Sequence, residues 1–152
     1  MDFAFILLTM ATTVAALRDP VFGSEAGLSF SRDLLWSNRY GSFDRTERAA
    51  FIVDRGKGEL ECLAWPATYE HERATFSGSL PPGTIAIIHT HPINVPWPSH
   101  QDKIEAHRLG IAIYALTPMS VTKAMPSQSD AVIVHKGPWL DPAPRGHRCK
   151  HL

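Results

Sequence analysis

A chain of 152 residues suits one domain around a single modest core. With 44% hydrophobic and 20% charged residues, it is too apolar and too weakly charged to be a disordered segment. Fifteen basic residues offset fifteen acidic ones, which removes the electrostatic argument for nucleic acid or an anionic membrane as partner. Eight histidines stand out and direct attention to metal or acid–base chemistry.

Residues 3–17, FAFILLTMATTVAAL, form a continuous apolar and small-residue run. Two readings fit it. Its length matches a signal-peptide core, and Val14-Ala15-Ala16 offers small residues for cleavage, but Asp2 stands where a basic start is expected. The other reading is a buried N-terminal helix, or a start placed within a longer leader. The run falls short of the ~20 residues of a membrane span, so no stable span is expected. Location therefore stays open between cytoplasmic and exported. Cys62 and Cys149 allow one bridge between mid-chain and tail, and composition alone does not decide whether it forms.

After Pro20, SRDLLWSNRY (31–40) predicts an amphipathic helix with Ser31 as N-cap. ERAAFIVDRGKGELECLAWP (47–66) predicts a hairpin turning at DRGKG. YEHERATFSG is polar and then strand-like, and LPPGT is a turn. The apolar IAIIHT (85–90) predicts a central strand buried on both faces. Prolines 92, 96 and 98 interrupt regular structure, and SHQDKIEAHRLG then predicts a helix stopped by Gly110. IAIYALT and AVIVH are further strands. The tail KGPWLDPAPRGHRCKHL is expected to be loose. This order argues for one α/β or α+β sheet domain flanked by helices, with 1–19 as an apolar leader segment, 20–140 as the domain and 141–152 as a flexible tail.

The chemistry concentrates in IIHTHPINVPWPSHQD (87–102). His89 and His91 are two apart at a strand end, so they project from one face, about 7 Å apart by the strand rise. Two imidazoles so placed can converge on one ion, and Asp102 in the first turn of the following helix can supply a carboxylate. Two histidines and one carboxylate leave the fourth tetrahedral position of a zinc ion open, as in catalytic sites. Ser99-x-x-Asp102 also has the form of a capping box, which would serve the helix alone.

His89-Thr90-His91-Pro92, Ser99 and Asp102 in the spacing His-x-His-x7-Ser-x2-Asp resemble the JAMM motif of the JAB/MPN zinc metalloproteases. The resemblance implies a JAB/MPN-like domain with a mixed sheet of cytidine-deaminase-like architecture, in a compact bacterial-type member. It implies Zn2+ held by His89, His91 and Asp102, with Ser99 hydrogen-bonding the oxyanion or orienting the water. It also implies a glutamate general base at the start of an earlier strand. Glu47 fits that place, although Ala49 and Ala50 stand where the family often has glycine. Glu59 and Glu61 on the second hairpin strand are its rivals, and Glu70 and Glu72 read as solvated loop charges.

Other residues read more plainly. His107 is expected on a helix surface and His100 beside the site. His135, His147, Cys149 and His151 form a loose C-terminal group, and Trp97 either packs the motif loop or lines a groove. The function expected from the resemblance is hydrolysis of a peptide or isopeptide bond. Its substrate would be a peptide or protein, such as a ubiquitin-like protein or, for an exported chain, a cell-wall peptide. The alternatives are a metal-free MPN scaffold and a RadC-like protein linked to DNA processes. Retained ligands weigh against the scaffold, and neutral charge weighs against the RadC-like reading. Oligomeric state is not legible.

Overall fold

The computed structural model describes residues 18–37, 47–66, 78–91, 94–139 and 146–152. The N-terminal run 3–17, Glu70, Glu72 and Pro92 lie outside the described residues. Among the described residues no helix is long and apolar enough to cross a membrane.

The fold is α+β, a seven-stranded mixed sheet with two helices among the described residues. In chain order the elements are α1 (Glu25–Ser37), β1 (Ala49–Asp54), β2 (Leu60–Ala64), β3 (Thr84–Thr90), α2 (His100–Leu109), β4 (Ala112–Thr117), β5 (Ser120–Ala124), β6 (Val132–Lys136) and β7 (Lys150–His151). The strand order is β6-β5-β4-β3-β1-β2-β7. β3 pairs with β4 and β2 with β7 in parallel; the other neighbours are antiparallel.

Alternation along the strands builds two apolar layers. Ala50, Ile52, Cys62, Ile88, Tyr114 and Leu116 meet Phe30, Leu34 and Leu35 of α1 on one face. Phe51, Val53, Ile87 and Ile113 meet Ala106 of α2 on the other, with Leu109 beside them. The central strands β1, β3 and β4 are thus covered on both sides, which is why their sequences read as unbroken apolar runs.

The hairpin, the central strand, the second helix and the strands after it lie where the periodicity placed them. The first helix does not. It begins at Glu25, and Ser24 Oγ accepts the Gly27 amide at 3.0 Å in the capping position. Ser31, expected as the cap, is buried mid-helix and donates to Gly27 O at 2.9 Å. The apolar triplet Phe30, Leu34, Leu35 extends the helical face one turn further back than the reading from Ser31 allowed.

β5 and β7 were not expected. Lys123 in β5 disguised a buried strand: its ammonium is 2.7 Å from Asp19 Oδ2, and Asp19 Oδ1 also accepts from the Tyr114 hydroxyl at 2.9 Å. The end of the tail, expected to be loose, is docked. Cys149 is disulfide-bonded to Cys62, Ser29 Oγ donates to His147 O at 3.0 Å, and Leu152 N donates to Ala64 O at 3.0 Å.

Candidate metal centre

β3, α2 and β4 form a β-α-β unit, and in such a unit the helix starts beside the C-terminal end of the first strand. The first turn of α2 is therefore brought to the two histidines at the end of β3. Ser99 caps α2 with extended backbone (φ −71°, ψ 167°), and Gly110 closes the other end in the left-handed region (φ 70°). The capping box is complete: Asp102 N donates to Ser99 Oγ at 3.1 Å, and Ser99 N donates to Asp102 Oδ2 at 2.6 Å.

The same carboxylate oxygen faces the histidines. Asp102 Oδ2 lies 3.3 Å from His89 Nε2 and 3.6 Å from His91 Nε2. The capping role and the metal role are thus compatible, since they share one oxygen. The rings lean together, with centroids 4.4 Å apart and planes at 86°, closer than the strand rise alone suggested. Both are buried, His89 to 6% and His91 to 4% exposure.

Glu47 comes in from the other side. Its Oε2 is 3.6 Å from His89 Nδ1, and Glu47, His89 and His91 offer ligand atoms that lie mutually within 4.8 Å. Glu47 precedes β1, whose first residue, Ala49, pairs with His89. Thr90 fixes this approach, because its amide donates to Arg48 O at 2.8 Å and its hydroxyl accepts the Arg48 amide at 2.9 Å. The residue between the two histidines therefore holds the residue after the glutamate. Sequence reading passed over it.

The rivals of Glu47 sit elsewhere. Glu61 pairs with Val53, four rows along β1 from Ala49, roughly 13 Å at the strand rise. It is occupied by Arg55 at 2.6 Å and Lys150 at 3.0 Å, and the Arg55 hydrogen bond leads in holding its carboxyl below the ordinary value. Glu59 closes the exposed turn at that same far end, where its backbone pairs with Arg55 and Gly56.

Both Asp102–imidazole separations suit an ion with zinc's bond lengths. Bond lengths of 2.0–2.2 Å in a tetrahedron separate neighbouring donors by about 3.3–3.6 Å, the range in which the Asp102 oxygen stands from both imidazoles. His89 Nε2 is buried and has no hydrogen-bond partner, since its 3.3 Å approach to Asp102 lacks hydrogen-bond alignment. A metal would satisfy it. His91 Nδ1 lies 2.9 Å from Val95 O. A carbonyl only accepts, so this contact selects the tautomer protonated on Nδ1 and leaves the Nε2 lone pair for a metal.

Without a metal, burial of the His89 ring works against protonation, but the carboxylates of Asp102 and Glu47 at its two nitrogens outweigh it and push its pKa up to about 9. Burial acts upward on Asp102, yet His89 and His91 hold it well below the ordinary carboxylate range.

Compared with protein-family models, curated proteins and solved structures, the chain matches none. The site therefore stands on its own residues.

Among the described residues the other histidines stay outside it. His100 opens α2 on the exposed side, and His107 is exposed with Nδ1 3.1 Å from Pro126 O. His147 packs edge-on against Phe30, and Cys149 is consumed by the disulfide, so no second cluster of metal donors forms among the described residues. Trp97 is 49% exposed, and Pro98 beside it is buried.

Proposed function

We propose that this chain is a zinc metallopeptidase of JAMM type that hydrolyses a peptide or isopeptide bond, on a JAB/MPN-like domain. The observation that carries the reading is Asp102 Oδ2 standing 3.3 Å from the buried His89 Nε2, which completes no hydrogen bond, and 3.6 Å from His91 Nε2. These three groups would hold the zinc. Bound there, zinc supplies Lewis acidity toward a carbonyl and acidifies water to a pKa of about 7.

The chain's own residues would do the rest. Glu47, at the edge of the cluster and 14% exposed, would take a proton from the attacking water and return it to the leaving amine. Ser99 Oγ accepts the Asp102 amide and keeps its own proton, which it can donate to the oxyanion. Val95 and Trp97, exposed on the loop that joins His91 to Ser99, offer apolar surface to a peptide chain.

The test is metal analysis of the purified protein with a panel of fluorogenic peptides and ubiquitin-like fusions. About one zinc per chain is expected, absent from His89→Ala and Asp102→Ala. A wild-type protein that takes up no zinc overturns the enzyme reading in favour of a scaffold.

A further inference from the structure

Ala49, His89, Ala115 and Thr122 lie in one row across β1, β3, β4 and β5. Residues opposite one another in a sheet share a face, so all four stand on the α2 side. His89 is flanked by buried alanines on both neighbouring strands. Beyond Ala115, the buried Thr122 hydroxyl donates to Pro96 O at 2.6 Å. The loop that leaves β3 is thus held two strands away, across β4.

That anchor is one residue from the carbonyl that orients His91. Pro96 and Pro98 fix their own φ near −65°, so the 95–98 segment is stiff, and a constraint at Pro96 O is transmitted to Val95 O. Val95 O in turn lies 2.9 Å from His91 Nδ1. We propose that Thr122 is a positioning residue for the metal centre, seating the proline loop so that the Val95 carbonyl holds His91 with Nε2 toward Asp102. This rests on the reading of the cluster as a metal site. Thr122 is placed beside the site only by strand pairing, 20 residues past Asp102, and no motif reaches it.

Thr122→Val removes the donor and keeps the shape; Thr122→Ser restores the donor. Zinc affinity of the metal-free protein, by competition with a chromophoric chelator, should fall tenfold or more in Thr122→Val, roughly the effect of losing an outer-shell partner, and recover in Thr122→Ser. In the metal-free proteins, 1H–15N NMR of the imidazoles should show His91 protonated on Nδ1 in wild type and Thr122→Ser, and a tautomer mixture in Thr122→Val. If Thr122→Val does not fold, Thr122→Ala is read in the same way. An unchanged His91 spectrum in the variant lacking the hydroxyl overturns the proposal. The two readings fail separately: a wild type without zinc affinity sinks the metal site, while the His91 spectra still decide the role of Thr122.

Discussion

Glu47 Oε2 stands 3.6 Å from His89 Nδ1, on the ring nitrogen opposite the one that faces Asp102. The two carboxylates thus approach different nitrogens of His89, and Glu47 also lies within 4.8 Å of a His91 donor, at the edge of the cluster. Glu47→Gln should therefore keep zinc and lose hydrolysis by about 10²–10⁴-fold, the usual weight of a general base. Loss of zinc in that variant would instead make Glu47 a ligand.

Thr90 gives an independent handle on the same residue. Thr90→Val leaves the part-buried Arg48 amide without its 2.9 Å acceptor, a cost of about 1 kcal/mol. Turnover should drop more than zinc content, because the change reaches Glu47 rather than the imidazoles. Equal losses of both would mean that Thr90 acts on the site as a whole.

Asp102 carries two duties on one oxygen, and they can be divided. Asp102→Asn keeps an acceptor for the Ser99 amide but lacks the charge, so zinc affinity should fall and the metal-free protein should lose the His89 ion pair while keeping the cap. Asp102→Ala loses the acceptor as well and should cost about a further 1 kcal/mol in urea unfolding. Equal stability of the two variants would show that the cap contributes nothing.

The raised pKa of His89 has a signed consequence for the metal-free protein. A group raised from 6.5 to about 9 stabilises the fold fully below pH 6.5, and that contribution is lost as pH rises through 9. Denaturant midpoints of the metal-free protein should thus decline between pH 6.5 and 9, and His89→Gln should flatten the decline. Zinc affinity should climb over the same range, because the proton competes for the ring. A wild-type midpoint that is flat across this window contradicts the ion-paired state.

The Cys62–Cys149 bridge spans 87 residues and joins β2 to the tail beside β7. On the chain-entropy account, a loop of this length is worth about 4–5 kcal/mol. Reduction should lower the thermal midpoint markedly, while zinc content at 25 °C should stay unchanged, since the bridge lies on the α1 side of the sheet, away from the histidines. Co-loss of zinc on reduction would show coupling between the two faces.

Much of this protein was legible in its residues because the relevant signals are local. The hairpin, the buried strand before His89 and the helix from Ser99 to Gly110 all follow from periodicity and turn chemistry within a few residues. The spacing of His89, His91, Ser99 and Asp102 is local too, since a short proline-bearing loop joins strand end to helix start.

What was missed depends on partners far along the chain. Lys123 reads as a surface residue until Asp19, 104 residues away, pairs with it inside the fold, and the strand it belongs to was passed over for that reason. The start of α1 was misplaced because Ser31 and Ser24 are equally good caps until packing buries one of them. Glu47 could be nominated from its place before a strand, but only the antiparallel pairing of β1 with β3 separates it from Glu59 and Glu61. That pairing sends the hairpin turn to the far end of the sheet and leaves Ala49 beside His89. Residue order alone supplied the candidate donors and their spacing; which carboxylate faces which nitrogen was decided by tertiary structure, because strand register is a non-local choice.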